Sequence, residues 1–169
     1  LAPWIETAKV FNDLAAKVLR LIANNGYEPS TSQTRARAIM SAGNVFGVEE
    51  AIAHSGVTPT KAQLAMLADI PYTEAVLAQC KDSHILVAVF PLSVLAVREK
   101  APKNPKTFYT YDDAWYNGQK FAKKNGEVAW HLIRKTPVPE STNKTWDEQQ
   151  ALLATNEETS TAQIMVYAI

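Results

Sequence analysis

The stretch that most restricts the fold of this chain is His84-Ile85-Leu86-Val87-Ala88-Val89-Phe90, a continuous apolar run of β-branched and large residues. A half-solvated strand alternates polar and apolar positions, and this one does not, so it reads as the central strand of a sheet covered on both faces. Pro91 ends it, and Leu92 to Glu99 predicts a short helix, with a second strand as the alternative. Glu127 to Ile133 sets Val128, Trp130 and Leu132 against Ala129, His131 and Ile133, the two-residue period of a strand. Ala162 to Ile169 sets Ile164, Val166 and Ala168 against Gln163, Met165 and Tyr167 and predicts a third strand, pairing inside the sheet with its first set of side chains buried.

Everything before residue 84 reads as helical. Pro3 to Asn24 predicts a helix with Phe11, Leu14, Ala15, Val18, Leu21 and Ile22 on an inward face, ended by Gly26. Gln33 to Ala42 is stopped by Gly43, and Val48 to His54 by Gly56. Thr58-Pro59 reads as a cap and first-turn proline launching Thr60 to Ala68, with Leu64, Leu67 and Ala68 inward, and Tyr72 to Lys81 follows the break at Ile70-Pro71. Ala101 to Lys106, with two prolines and two lysines, is the clearest linker. Asp112 and Asp113 suit the start of a helix that brings Trp115, Phe121 and Ala122 inward and ends at Asn125-Gly126.

From residue 84 the expected order is strand, helix, strand, helix, strand. A doubly wound α/β three-layer fold is the alternative, but its glycine-rich turn after the first strand is replaced here by Phe90-Pro91-Leu92-Ser93. The expectation is therefore α+β: a helical part over 1–83 and an α+β part with a small mixed sheet over 84–169, packed as one globular unit.

Charge and length exclude several partners. The chain of 169 residues carries 17 basic and 17 acidic residues, with 7 and 8 in 1–83 and 10 and 9 in 84–169, so no long-range field draws it to nucleic acid or an anionic membrane. Its longest mainly apolar run, Ile85 to Val97, contains Pro91 and falls short of the roughly 20 residues that span a bilayer. A single cysteine, Cys80, excludes an internal disulfide and favours a reducing compartment, hence the cytoplasm as the expected location. No signal-peptide pattern opens the chain; starting at Leu1 and stopping at Ile169 inside a strand-like run, it is expected to be a piece of something longer.

The stretch most like a site is the loop after the strand at 127–133. Arg134, Lys135, Ser141, Thr142, Lys144 and Thr145 bring a guanidinium, ammonium groups and hydroxyls near a helix start, a chemistry suited to phosphate or carboxylate. Thr145-Trp146-Asp147-Glu148 reads as a capping box opening a helix to residue 154. A solvated loop before a capped helix accounts for the same residues, because no glycine-rich turn brings the backbone close. The match of Asn143-Lys144-Thr145 to a glycosylation sequon reads as coincidence.

Other constellations are weaker. Cys80 and His84 could form a thiolate–imidazole pair, but the spacing crosses a helix end and an inert cysteine is the plainer reading. His54, His84 and His131 are too scattered for zinc, and neither metal nor cofactor is expected. The carboxylate pairs Glu49-Glu50, Asp112-Asp113 and Glu157-Glu158 read as surface or cap residues. Trp115, Tyr116, Trp130 and Trp146 more often hold a core than line a groove. The helices 59–68 and 72–81 outline a helix-turn-helix, but the second offers only Lys81 as a cation beside Glu74.

Trp115-Tyr116, Phe121-Ala122, Trp130, Leu132 to Val138, Ser141-Thr142, Lys144-Thr145-Trp146, Glu148 to Gln150, Glu157-Glu158 and Met165-Val166-Tyr167 together resemble a family of uncharacterised bacterial proteins over residues 109–169. Longer members resemble the targets of diversity-generating retroelements and continue into a C-type-lectin-like region that this chain lacks. The resemblance implies the framework preceding a ligand-displaying surface, and carries no catalytic residues. The expected function is thus a non-enzymatic interaction or structural module whose partner is a protein or small anionic ligand. An anion-binding domain or enzyme using the 134–145 loop and a helix-turn-helix DNA-binding protein are the alternatives.

Overall fold

A computed structural model describes residues 3–24, 26–100 and 115–168; the linker 101–106 and the helix start at Asp112 and Asp113 lie outside the described residues. The chain is α+β, with helices packed around a small mixed sheet. Its strands are β1 (Val45–Phe46), β2 (His84–Val89) and β3 (Ala129–Arg134), in the order β1-β2-β3. β2 is central as its composition requires, parallel to β1 through Val45 opposite Leu86 and antiparallel to β3 from His84 opposite Arg134 to Val89 opposite Ala129. Leu86 to Phe90 are at most 1% exposed.

A parallel pair needs a long crossover. Here it runs through α3 (Val48–Ser55), α4 (Lys61–Met66) and α5 (Glu74–Cys80), preceded by α1 (Pro3–Ala23) and α2 (Thr31–Met40). Between β2 and β3 lie α6 (Val94–Lys100), a 3-10 turn Trp115–Gly118 and α7 (Lys120–Lys123); α8 (Trp146–Gln150) and α9 (Ala162–Ala168) follow β3. Met40, Val48, Ala51, Leu67 and Leu77 from four helices close over the sheet. Because β1 comes from 1–83 and β2 and β3 from 84–169, the two parts of the chain share one sheet.

Several expectations are corrected. The segment from Ala162 is the helix α9, not a strand, and the third strand is the two-residue β1. Over seven residues the two periods overlap, and packing buries Gln163 and Tyr167, four apart on one helix face, with the expected Ile164 and Ala168 only partly buried beside them. Tyr167 stands edge-on to Phe46 at 5.9 Å between centroids, and Gln163 Nε2 donates to Phe121 O at 2.8 Å. Trp115 is 75% exposed and Phe121 40%, leaving Ala122 as the buried member of that trio, and among the aromatics read as core Trp130 is buried while Trp146 lies exposed. Instead of one helix ending at Asn125, the described residues hold the turn at 115–118 and α7. α8 stops at Gln150, not residue 154, and α4 is capped by Thr60 and Gln63 rather than by Thr58.

The largest correction concerns α1. It is helical as expected, yet Phe11, Leu14, Val18 and Ile22 are 70%, 59%, 46% and 70% exposed. Of the expected face Leu21 alone among the large side chains turns toward the rest of the protein, beside Ala16, Asp13 and Lys17; Lys17 Nζ meets Glu28 at 2.7 Å, and just past the helix Asn24 Nδ2 donates to Glu49 at 2.8 Å.

Candidate functional site

The last carbonyls of a helix have no partner within it. At the end of α4 they are taken by side chains from far along the chain: Gln33 Nε2 and Trp130 Nε1 both donate to Leu67 O, at 2.6 and 2.9 Å, and Ser30 Oγ donates to Ala68 O at 2.5 Å. Gln33 is placed by the capping box of α2, in which Ser30 Oγ accepts from Gln33 N and Gln33 Oε1 accepts from Ser30 N. The Tyr27 hydroxyl donates to the same Gln33 Oε1. One amide thus ties α2, α4, the turn after α1 and, through Leu67, β3.

Beside this cluster Arg37 of α2 and Glu50 of α3 form a two-pronged pair, both N–H···O distances 2.7 Å, with side chains 30% and 26% exposed. Gly47 N donates to Glu50 at 2.8 Å, so the same carboxylate also closes the start of α3. Burial pushes the Glu50 carboxyl up, but the hydrogen bonds and charge of Arg37 and the Gly47 N–H outweigh it and hold the group below its ordinary range. Burial and the neighbouring Glu49 push the Tyr27 phenol up to about 12, against the opposing Gln33 bond and Arg37 charge. At neutral pH Tyr27 is therefore a proton donor, and Arg37 and Glu50 cancel each other's charge.

Of these groups Tyr27, Gln33, Arg37 and Trp130 line a cavity of about 570 Å³, with Asp13, Lys17 and Leu21 of α1 on one side of it and Glu28, Val48 and Glu49 also in its wall. Its volume falls in the range of small-molecule sites. The arrangement can hold a ligand by hydrogen bonds and apolar contact.

The anion-site residues singled out from the sequence, Arg134, Lys135, Ser141, Thr142, Lys144 and Thr145, lie elsewhere; of the other residues weighed there, Trp130 and Glu49 line the cavity. Arg134, at the end of β3, donates from Nε and Nη2 to Glu157 Oε1 at 2.9 and 2.6 Å. The Ala154 N–H, first, and then Arg134 hold the Glu157 carboxyl below its usual range. Lys135 reaches Asp82 O at 3.4 Å. Gln149 Nε2 donates to Ser141 O and Lys144 O, Thr142 is exposed, and Thr145 is the N-cap of α8, its hydroxyl and N–H both donating to Glu148. Those two bonds lower the Glu148 pKa. The loop is stitched mainly to itself and to Glu157, and α8 is only five residues long.

His84 and His131 have pKa values lowered first by burial, with the cations Arg134 and Lys135 adding to the effect at His84. His84 Nδ1 lies 2.8 Å from Ser83 Oγ. Among the described residues no cluster of three or more His, Cys, Asp or Glu is placed to hold a metal, and no helix is long and apolar enough to cross a membrane.

Sequence reasoning passed over Tyr27, Gln33, Arg37, Glu50 and Trp130 as a group. A local signal was present: Ser30-Thr31-Ser32-Gln33 has the spacing of a capping box, as does Thr60 with Gln63. The pairing of Arg37 with Glu50 had none, since the two sit on different helices. Comparison of the chain with protein-family models, curated proteins and solved structures returned no match.

Proposed function

We propose that this chain is a non-enzymatic interaction module and that α1 is its docking element, with another protein as partner. The observation that carries the reading is the orientation of α1, which turns Asp13, Lys17 and Leu21 to its own domain while Trp4, Phe11, Val18 and Ile22 are 71%, 70%, 46% and 70% exposed. An apolar helix face of this size normally meets a partner. The framework role implied by the family resemblance belongs to the same class.

The test separates a docking face from a core face. Replacing Phe11, Val18 and Ile22 together by Ser should cost no more than about 1.5 kcal/mol in chemical denaturation at a protein concentration where the parent is monomeric, because surface changes cost about 0.5 kcal/mol or less each. A loss of about 5 kcal/mol or more would mean that these side chains stabilise their own domain, and the reading fails.

A second reading rests on the cavity beneath α1. Its wall carries Arg37, paired with Glu50 behind it, Lys17, paired with Glu28, and the carboxylates Asp13 and Glu49, and with Tyr27 protonated it suits a neutral or zwitterionic small molecule more than a bare anion. Stabilisation by such a ligand in a thermal-shift screen, lost in Trp130→Leu, would support it. A shift with phosphate that disappears in Arg134→Ala would instead restore the 134–145 loop as an anion site.

A further inference from the structure

We infer that the partner of α1 is α1 of a second copy of this chain, the two helices packing antiparallel about a two-fold axis. The inference rests on the docking reading above and adds the identity of the occupant.

The seam is written in the helix. Trp4, Ala8, Phe11, Ala15, Val18 and Ile22 follow one another at alternating steps of four and three residues, the spacing that keeps side chains facing a partner helix. In an antiparallel pair centred on residue 13 each position meets the one as far from the centre on the other side. Trp4 then falls opposite Ile22, Ala8 opposite Val18 and Phe11 opposite Ala15. Small meets large at the two alanine positions, which fills the layers evenly. A parallel pair would stack Phe11 on Phe11 and Ala15 on Ala15, with crowded layers alternating with hollow ones.

The available area agrees. The large seam side chains Trp4, Phe11, Val18 and Ile22, with Leu14 and Leu19 flanking them, present on the order of 700 Å² per copy, close to the roughly 800 Å² per partner of a stable interface. A formal net charge of +0 means that two copies meet little long-range repulsion. A lipid surface is a poorer fit. Membrane-surface helices aim their lysines at headgroups beside the apolar face, whereas Lys17 is held by Glu28 of its own domain.

Sedimentation velocity over a concentration series tests the inference. The parent should shift with concentration toward twice the 18.6 kDa chain mass, and Phe11→Glu, with an unchanged circular dichroism spectrum, should associate at least about tenfold more weakly. Register is read in a Cys80→Ser background carrying Ala8→Cys and Val18→Cys, where mild oxidation should join position 8 of one copy to position 18 of the other. A parent that stays monomeric at every concentration, a dimer indifferent to Phe11→Glu, or disulfides joining 8 to 8 and 18 to 18 would each overturn the antiparallel pair. So would a monomer whose tryptophan emission shifts blue on neutral or anionic vesicles. If the parent is monomeric while the Ser variant keeps its stability, self-pairing fails and the docking reading stands; if, at a concentration where both are monomeric, the Ser variant is destabilised relative to the parent as heavily as the truncation of buried side chains requires, both fail.

Discussion

Glu50 joins two helices and closes one of them, since it answers Arg37 of α2 with both oxygens and the Gly47 N–H at the start of α3 with one of them. Removing one member of such a pair leaves the other half-buried and uncompensated. Arg37→Met should therefore cost about 1–3 kcal/mol in chemical denaturation. The pH dependence has a definite sign. The folded-state pKa of Glu50 lies below its ordinary value of 4.5, so its contribution is full above that value and is lost as the pH falls through the lower, folded one. The difference in melting temperature between the parent and Glu50→Gln should accordingly be greatest near neutrality and shrink below about pH 4.5. A difference that stays constant down to strong acid would show that the carboxylate charge contributes nothing.

Among the elements, α9 shows how packing reassigns a short segment. Its buried face is Gln163 and Tyr167, and the Tyr167 ring fills the space against Phe46 next to the sheet. Tyr167→Ala should cost about 3–5 kcal/mol, the loss typical of a truncated core aromatic. Met165→Ala on the exposed side of the same helix should change stability by about 0.5 kcal/mol or less. Equal losses for the two would fit a strand or a frayed tail better than a helix with one face seated.

At the scale of the molecule, the sheet and the polar cluster bind the two parts of the chain together. β1 pairs with β2 across the division at residue 83, and Trp130 of β3 donates to Leu67 O. The core draws residues from both parts. Urea unfolding followed by tryptophan fluorescence and by far-ultraviolet circular dichroism should give one coincident transition. Two separated transitions would mean that 1–83 and 84–169 fold independently.

The sequence by itself determined what depends on local chemistry and composition: β2 as a covered central strand from its unbroken apolar run, β3 from its alternation, α2 from its composition and the stop at Gly43, the short helix α6 after Pro91, the Thr145 cap of α8 from its start signal, and the α+β class. These signals lie within a few residues of what they specify. Tertiary structure decided the rest. β1, at two residues, is too short to carry a period and exists because β2 offers it an edge. α9 is a helix because Tyr167 has a place against Phe46, which alternation along the chain cannot express. The side of α1 that faces the domain was set by the partners of Lys17 and Asn24, Glu28 and Glu49, so the apolar periodicity gave the helix but misjudged which way it turns. Periodicity records that a face will be buried; only the fold shows whether the chain's own core or another molecule buries it.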